Sequence, residues 1–110
     1  MNTVLTTGDY VTEGRDAVIE VVVGEGQQGE IRVRHNGRVV AEGSGRVRAR
    51  LSPGTGSVRA KAIVNHTNGG TTAASVTYRF TGGPAPDEFR GDGDFSAGEP
   101  IEFRGEFTLS

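Results

Sequence analysis

The chain has no cysteine and no tryptophan, only four prolines, and a single lysine among its twelve basic residues. Without cysteine there is no disulfide framework, no thiolate metal centre and no cysteine nucleophile. No apolar run approaches the length of a membrane-spanning helix. The opening residues, MNTVLTTGDY, have neither a basic n-region nor an apolar h-region, so they do not read as a signal peptide. No segment of useful length carries a helical period. Apolar residues make up only 34% of the chain, and the aromatics are five Phe and two Tyr, so the core must be modest. Glycine, by contrast, is abundant at 18 residues. It costs about 1 kcal/mol relative to alanine inside a helix but serves tight turns well. At 110 residues the composition predicts one small all-β domain made in the cytoplasm.

Strand signals recur at spacings near ten residues. AVIEVVV (17–23) would bury Ala17, Ile19, Val21 and Val23 and turn Val18, Glu20 and Val22 to the other side. In EIRVRHNGRVVAE (30–42), Asn36-Gly37 supplies the positive φ angles of a type I′ hairpin. A two-residue turn there would set Val33 opposite Val40 and Ile31 opposite Glu42. GRVRARLS sends Val47, Ala49 and Leu51 inward. After the SPGTGS turn, Val58, Ala60, Ala62 and Val64 point inward in SVRAKAIV, and Ala74, Val76, Tyr78 and Phe80 do so in TTAASVTYRF. Residues 82–100 are Gly- and Pro-rich and acidic, and IEFRGEFTL then alternates with Ile101, Phe103, Phe107 and Leu109 on one side. The string EFRG occurs at 88–91 and 102–105, compatible with a terminal hairpin.

Charge is segregated along the chain. Residues 31–61 hold Arg32, Arg34, Arg38, Arg46, Arg48, Arg50, Arg59 and Lys61 against one acid, Glu42, although the whole chain carries a formal charge of −2. Strand alternation predicts a basic interaction face of Arg46, Arg48, Arg50, Arg59 and Lys61, joined by Arg32 and Arg34 if those strands share a sheet. Like charges side by side on a sheet are unfavourable unless compensated. The candidate compensator is an acidic arm, residues 82–110, carrying Asp87, Glu88, Asp92, Asp94, Glu99, Glu102 and Glu106. It would pack on the same domain or on a neighbouring subunit, and IEFRGEFTL could add to a neighbour's sheet edge. Nucleic acid is the less favoured partner: the net charge is negative and no aromatic interleaves the basic stripe for base stacking.

No catalytic motif is visible. His35 and His66 adjoin turns, with no G-x-S-x-G or comparable nucleophile context. DGDFSAGE offers Asp92, Asp94, Ser96 and Glu99 as oxygen donors for calcium, but lacks the EF-hand spacing and reads as a solvated acidic loop. Arg90-Gly91-Asp92 spells the integrin tripeptide, and Asn65-His66-Thr67 a glycosylation sequon, each without supporting context. Sugar recognition by a β-sandwich normally uses exposed rings, and Tyr10 is the one aromatic left over for it. The expectation is therefore no enzyme activity, no cofactor and no metal.

The run from IEVVV through EIRVRHNGRVVAEG and GRVRARLSPGTGSVRAKAIV to ASVTYRF, about residues 10–81, resembles an immunoglobulin-like module. It is similar to the cysteine-free versions in bacteriophage virion proteins and bacterial surface proteins. The resemblance rests on the short polar hairpin turn, the LSPG-type turn and the closing V-T-Y-x-F strand. It implies an immunoglobulin-like β-sandwich over residues 1–81, followed by the acidic arm 82–110 ending in an extra strand. It further implies a non-enzymatic structural protein of a virion, decorating a capsid or associated with a tail. Its partners would be proteins: copies of itself in a homo-oligomer, or a capsid or tail protein, with no membrane. The alternative is a binding module, surface-attached or carbohydrate-recognising, of a bacterial protein, on the cell surface or in the cytoplasm.

Overall fold

The computed structural model describes residues 2–95 and 98–110. They form nine strands: β1 Asn2–Tyr10, β2 Ala17–Val23, β3 Gln28–His35, β4 Arg38–Ser44, β5 Arg46–Leu51, β6 Gly56–Asn65, β7 Ala73–Thr81, β8 Asp87–Asp94 and β9 Ile101–Leu109. No helix long and apolar enough to cross a membrane occurs among the described residues. Two sheets pack face to face. One has five strands in the order β1-β9-β6-β3-β4; the other has four, β5-β2-β7-β8. The chain is an all-β, two-sheet sandwich, compatible with an immunoglobulin-like module.

Alternation produces the two layers. Every second residue is buried along β5 (Val47, Ala49, Leu51) and β6 (Val58, Ala60, Ala62, Val64), and the residues between them are mostly exposed. The largest fully buried side chains are Tyr78, Phe80, Phe103 and Ile19. Phe80 stacks on Tyr10 at 4.9 Å between centroids and meets Phe107 edge-on at 5.0 Å. These contacts tie β1, β7 and β9 across the core. Glycine gives the rings room. At Gly105 an added Cβ would lie 2.7 Å from Tyr78 Cε1 and 2.6 Å from Phe107 Cε2, and the Phe89 ring occupies the side-chain position of Gly8.

The structure departs from the sequence reading, or adds to it, in four places. First, residues 82–110 are built into the sandwich. β8 pairs with β7, and β9 lies between β1 and β6, so the last strand is central. The reason is its apolar face: Ile101, Phe103, Phe107 and Leu109 are each at most 2% exposed. With both edges of β9 occupied, it is not free to add to a neighbour's sheet. Second, the two EFRG strings lie in different sheets and form no hairpin. Third, residues 2–10, which carry no strong strand signal, form β1, parallel to β9 from Asn2↔Ile101 to Tyr10↔Leu109. That strand is held by its sheet partner and by Tyr10, whose ring is buried against Phe80. Fourth, the hairpin turn forms with φ of 50° at Asn36 and 84° at Gly37, but a bulge follows. Arg34 pairs with Val39 while Val33 pairs with Ala41, leaving Val40 as the extra residue, so that Glu42 faces Arg32. A bulge inserted after the turn shifts every later pair by one.

Candidate functional site

The SPGTGS turn carries the chain from β5 in the four-stranded sheet to β6 in the five-stranded one. The five cations around it therefore divide between two outer faces. Arg46, Arg48 and Arg50 lie on one side of the molecule; Arg59 and Lys61, with Arg32 and Arg34, lie on the other. Sequence alternation places each residue in or out, but does not reveal that a turn crosses between sheets.

The two faces differ in how charge is matched. On the four-stranded sheet, strand register sets Glu88, Arg79, Glu20 and Arg48 in a row of alternating sign. Arg46 adds a 4.0 Å contact to Glu20. On β8, Arg90 pairs with Asp92 at 2.8 Å and reaches Glu25 at 3.1 Å. Cross-strand neighbours of opposite sign stabilise a sheet modestly.

The five-stranded sheet is arranged otherwise. Register gives three outward rows: Thr7, Glu106, Arg59, Arg34 and Val39; Leu5, Arg104, Lys61, Arg32 and Glu42; and Thr3, Glu102, Ile63, Glu30 and Ser44. The middle row sets three cations on adjacent strands. Two carboxylates serve them. Glu42 pairs with Arg32 at 2.8 Å, and Glu102 pairs with Arg104 at 2.9 Å and with Lys61 at 3.5 Å. Burial is the largest single influence on Glu102 and opposes its ionisation. Arg104, Lys61 and a hydrogen bond donated by Thr3 Oγ1 together outweigh it and hold the carboxyl below its ordinary pKa.

Arg34 and Arg59 face each other in register with no ion pair among the described residues; Arg34 Nη1 donates only to the Gly37 carbonyl, at 3.4 Å. Over these strands lies a depression of about 520 Å³, walled by Arg32, Arg34, Arg59, Lys61, Arg104 and the neighbouring glutamates. Ala60 and Gly105 line it from below. Arg104 belongs to this face, although the sequence reading confined the basic set to residues 32–61. Its outward position was legible in IEFRGEFTL; that β9 adjoins β6 was not.

The acidic residues scatter accordingly. Asp87, Glu88, Asp92 and Asp94 are on β8, at the edge of the four-stranded sheet; Glu102 and Glu106 are on the five-stranded face; Glu99 is in the loop before β9. Of the calcium candidates, Asp92 is paired to Arg90 and Asp94 accepts from Thr72 Oγ1 at 3.3 Å, while Ser96 lies outside the described residues. No cluster of three His, Asp or Glu suited to a metal occurs among the described residues. Arg90-Gly91-Asp92 sits in β8, not at a loop tip. His35 is buried at the hairpin turn and accepts at Nδ1 from Ser52 N–H at 3.4 Å. His66 stacks on Phe95 with centroids 4.9 Å apart and donates through Nε2 to the Thr71 carbonyl. Tyr10, the spare ring for sugar stacking, is 2% exposed: it donates to Ala85 O and accepts from Gly83 N–H. Compared with family models, with curated proteins and with solved structures, the chain shows no match to any of the three.

Proposed function

We propose that the chain is a non-enzymatic structural and interaction protein. Following the resemblance in its sequence, we read it as a small bacteriophage virion component that decorates a capsid or associates with a tail. The observation that carries this reading is the five-stranded outer face. Its cations stand in fixed rows on strands paired at both edges, and two of its arginines, Arg34 and Arg59, make no ion pair among the described residues. A rigid, unevenly matched charged face suits a repeated protein–protein contact, because electrostatic complementarity sets register and specificity. The alternative role in carbohydrate recognition is disfavoured by the burial of Tyr10.

Absolute mass by light scattering, at about 50 mM and about 500 mM salt, tests the reading, since exposed charge contacts are largely screened at the higher value. The expected result is a defined oligomer at low salt that dissociates at high salt. A monomer under both conditions, at every protein concentration tried, overturns assembly through charged faces of identical copies.

A further inference from the structure

We propose that the outer face formed by β9, β6 and β3 docks an extended acidic segment of a protein partner, with Arg34 and Arg59 as its anchors. The inference rests on the reading of the chain as an interaction protein and names the chemistry of what it binds.

The first argument is residual charge. Arg32, Lys61 and Arg104 already share Glu42 and Glu102, whereas Arg34 and Arg59 make no ion pair among the described residues; Glu106 is the cross-strand neighbour of Arg59 but is not within ion-pair distance of it. Arg34 and Arg59 are direct cross-strand neighbours, and like charges in that position repel until an anion lies between them. Guanidinium takes a carboxylate bidentately, in a fixed plane.

The second argument is period. Arg59 and Lys61 on β6, and Arg34 and Arg32 on β3, are each two residues apart along a strand. That spacing is about 6.8 Å, at roughly 3.4 Å per residue. An extended peptide with acids at alternate positions repeats at the same distance. Laid along the boundary of β3 and β6, it sets one carboxylate between Arg34 and Arg59 and the next between Arg32 and Lys61. Both strands are paired on each side, so the receiving groups sit on a preformed scaffold and little ordering cost is added on binding.

The third argument is the frame of acids. Glu106 and Glu102 flank the cations on β9, and Glu30 and Glu42 flank them on β3 and β4. A nucleic acid strand carries charge at every phosphate and would have to cross those carboxylates, on a chain whose own charge is −2. A peptide places acids over the arginines and neutral or basic residues over the frame.

The probe is a short acetylated and amidated peptide alternating Glu and Ser, labelled with fluorescein and followed by anisotropy in low salt. The wild-type chain should bind it saturably. The double variant Arg34→Gln/Arg59→Gln should lose about tenfold in affinity, or about 1.4 kcal/mol. Arg48→Gln/Arg50→Gln removes the same charge from the opposite face and should bind as the wild type does. All substituted side chains are exposed, and an unchanged thermal midpoint verifies that both variants fold.

Absence of saturable binding overturns the inference, as does equal loss in both variants, which would reduce the effect to net charge. Tighter binding of labelled oligothymidylate than of the peptide also overturns it, in favour of single-stranded nucleic acid. If the protein assembles in low salt yet ignores the peptide, the docking inference alone fails. If it is monomeric in both salts yet binds the peptide through Arg34 and Arg59, the assembly reading alone fails.

Discussion

Tyr78 shows what a single atom costs in this core. The ring is fully buried, 5.2 Å from Phe107 and beneath Gly105, and its hydroxyl has no hydrogen-bond partner among the described residues. A buried, unsatisfied polar group costs on the order of 1–3 kcal/mol. Tyr78→Phe keeps the ring and should therefore raise stability by about 1 kcal/mol, read as a higher urea midpoint with unchanged slope. Burial also raises the phenol's pKa above its ordinary value. The folded state then keeps a proton that the unfolded chain releases near pH 10. The stabilisation is whole below about pH 10 and is lost as pH climbs toward the raised folded value, so alkali destabilises the wild type. Tyr78→Phe should flatten that alkaline slope. A variant less stable than the wild type at neutral pH would mean that the hydroxyl does have a partner.

At the scale of elements, Gln27 organises the β6–β7 connection. It is 5% exposed, and its Oε1 accepts from the backbone N–H of Thr67 and Asn68 at 2.9 and 2.8 Å. Its Nε2 donates to the Ala73 carbonyl at 3.1 Å and, at 3.4 Å, to those of Asn68 and Thr71. One side chain thus joins the backbone of the β6–β7 loop to the first residue of β7. Gln27→Leu removes the side-chain partner of the Thr67 and Asn68 N–H groups and of the Ala73 carbonyl, whereas the Thr71 carbonyl keeps His66 and the Asn68 carbonyl keeps Thr71 N–H. The expected outcome is a loss of about 1–3 kcal/mol, from several part-buried bonds broken at once. Hydrogen exchange should become faster at Thr67 and Asn68 before it does in β2 or β6. Uniform acceleration across both sheets would instead place Gln27 in the global core. The sequence marks this region only as a polar loop, GEGQQG, because nothing in a run of glutamines says which amide will fold inward.

At the scale of the whole molecule, the sandwich is closed by its two ends. β1 lies parallel to β9, Thr12 N–H donates to the Ser110 carbonyl at 2.6 Å, and Ser110 N–H donates to Tyr10 O at 3.0 Å. Removing residues 1–9 would strip β9 of one partner and expose its backbone groups as a sheet edge, a template for association. The expected result is a lower unfolding midpoint together with larger species in gel filtration that persist in high salt, since strand pairing is not charge-driven. A stable monomer would show that β1 is dispensable to the sandwich. The same architecture governs charge. Crossing from β5 to β6 takes the chain from one face to the other, so a stretch that looks like one basic stripe becomes two surfaces with different neighbours.

The sequence by itself determined that the chain is a two-layered all-β protein, and most of the side chains that line its core, though Tyr10, read as a spare ring, is buried and Val23, read as buried, is only partly so. Inward and outward positions alternate with period two, and that period is written locally in residues such as Val47, Ala49 and Leu51, or Ile101, Phe103 and Phe107. It also determined the turn at Asn36-Gly37, whose positive φ angles demand those residue types. Tertiary structure alone decided which strands are neighbours. Pairing is long-range, set by how whole apolar faces fit together, and it placed β9 in the centre, gave the signal-poor β1 a partner and inserted the bulge at Val40. The candidate site inherits that division. The outward direction of each arginine was local information, whereas the meeting of Arg34 and Arg59, and the separation of both from Arg48, came from the packing of distant strands.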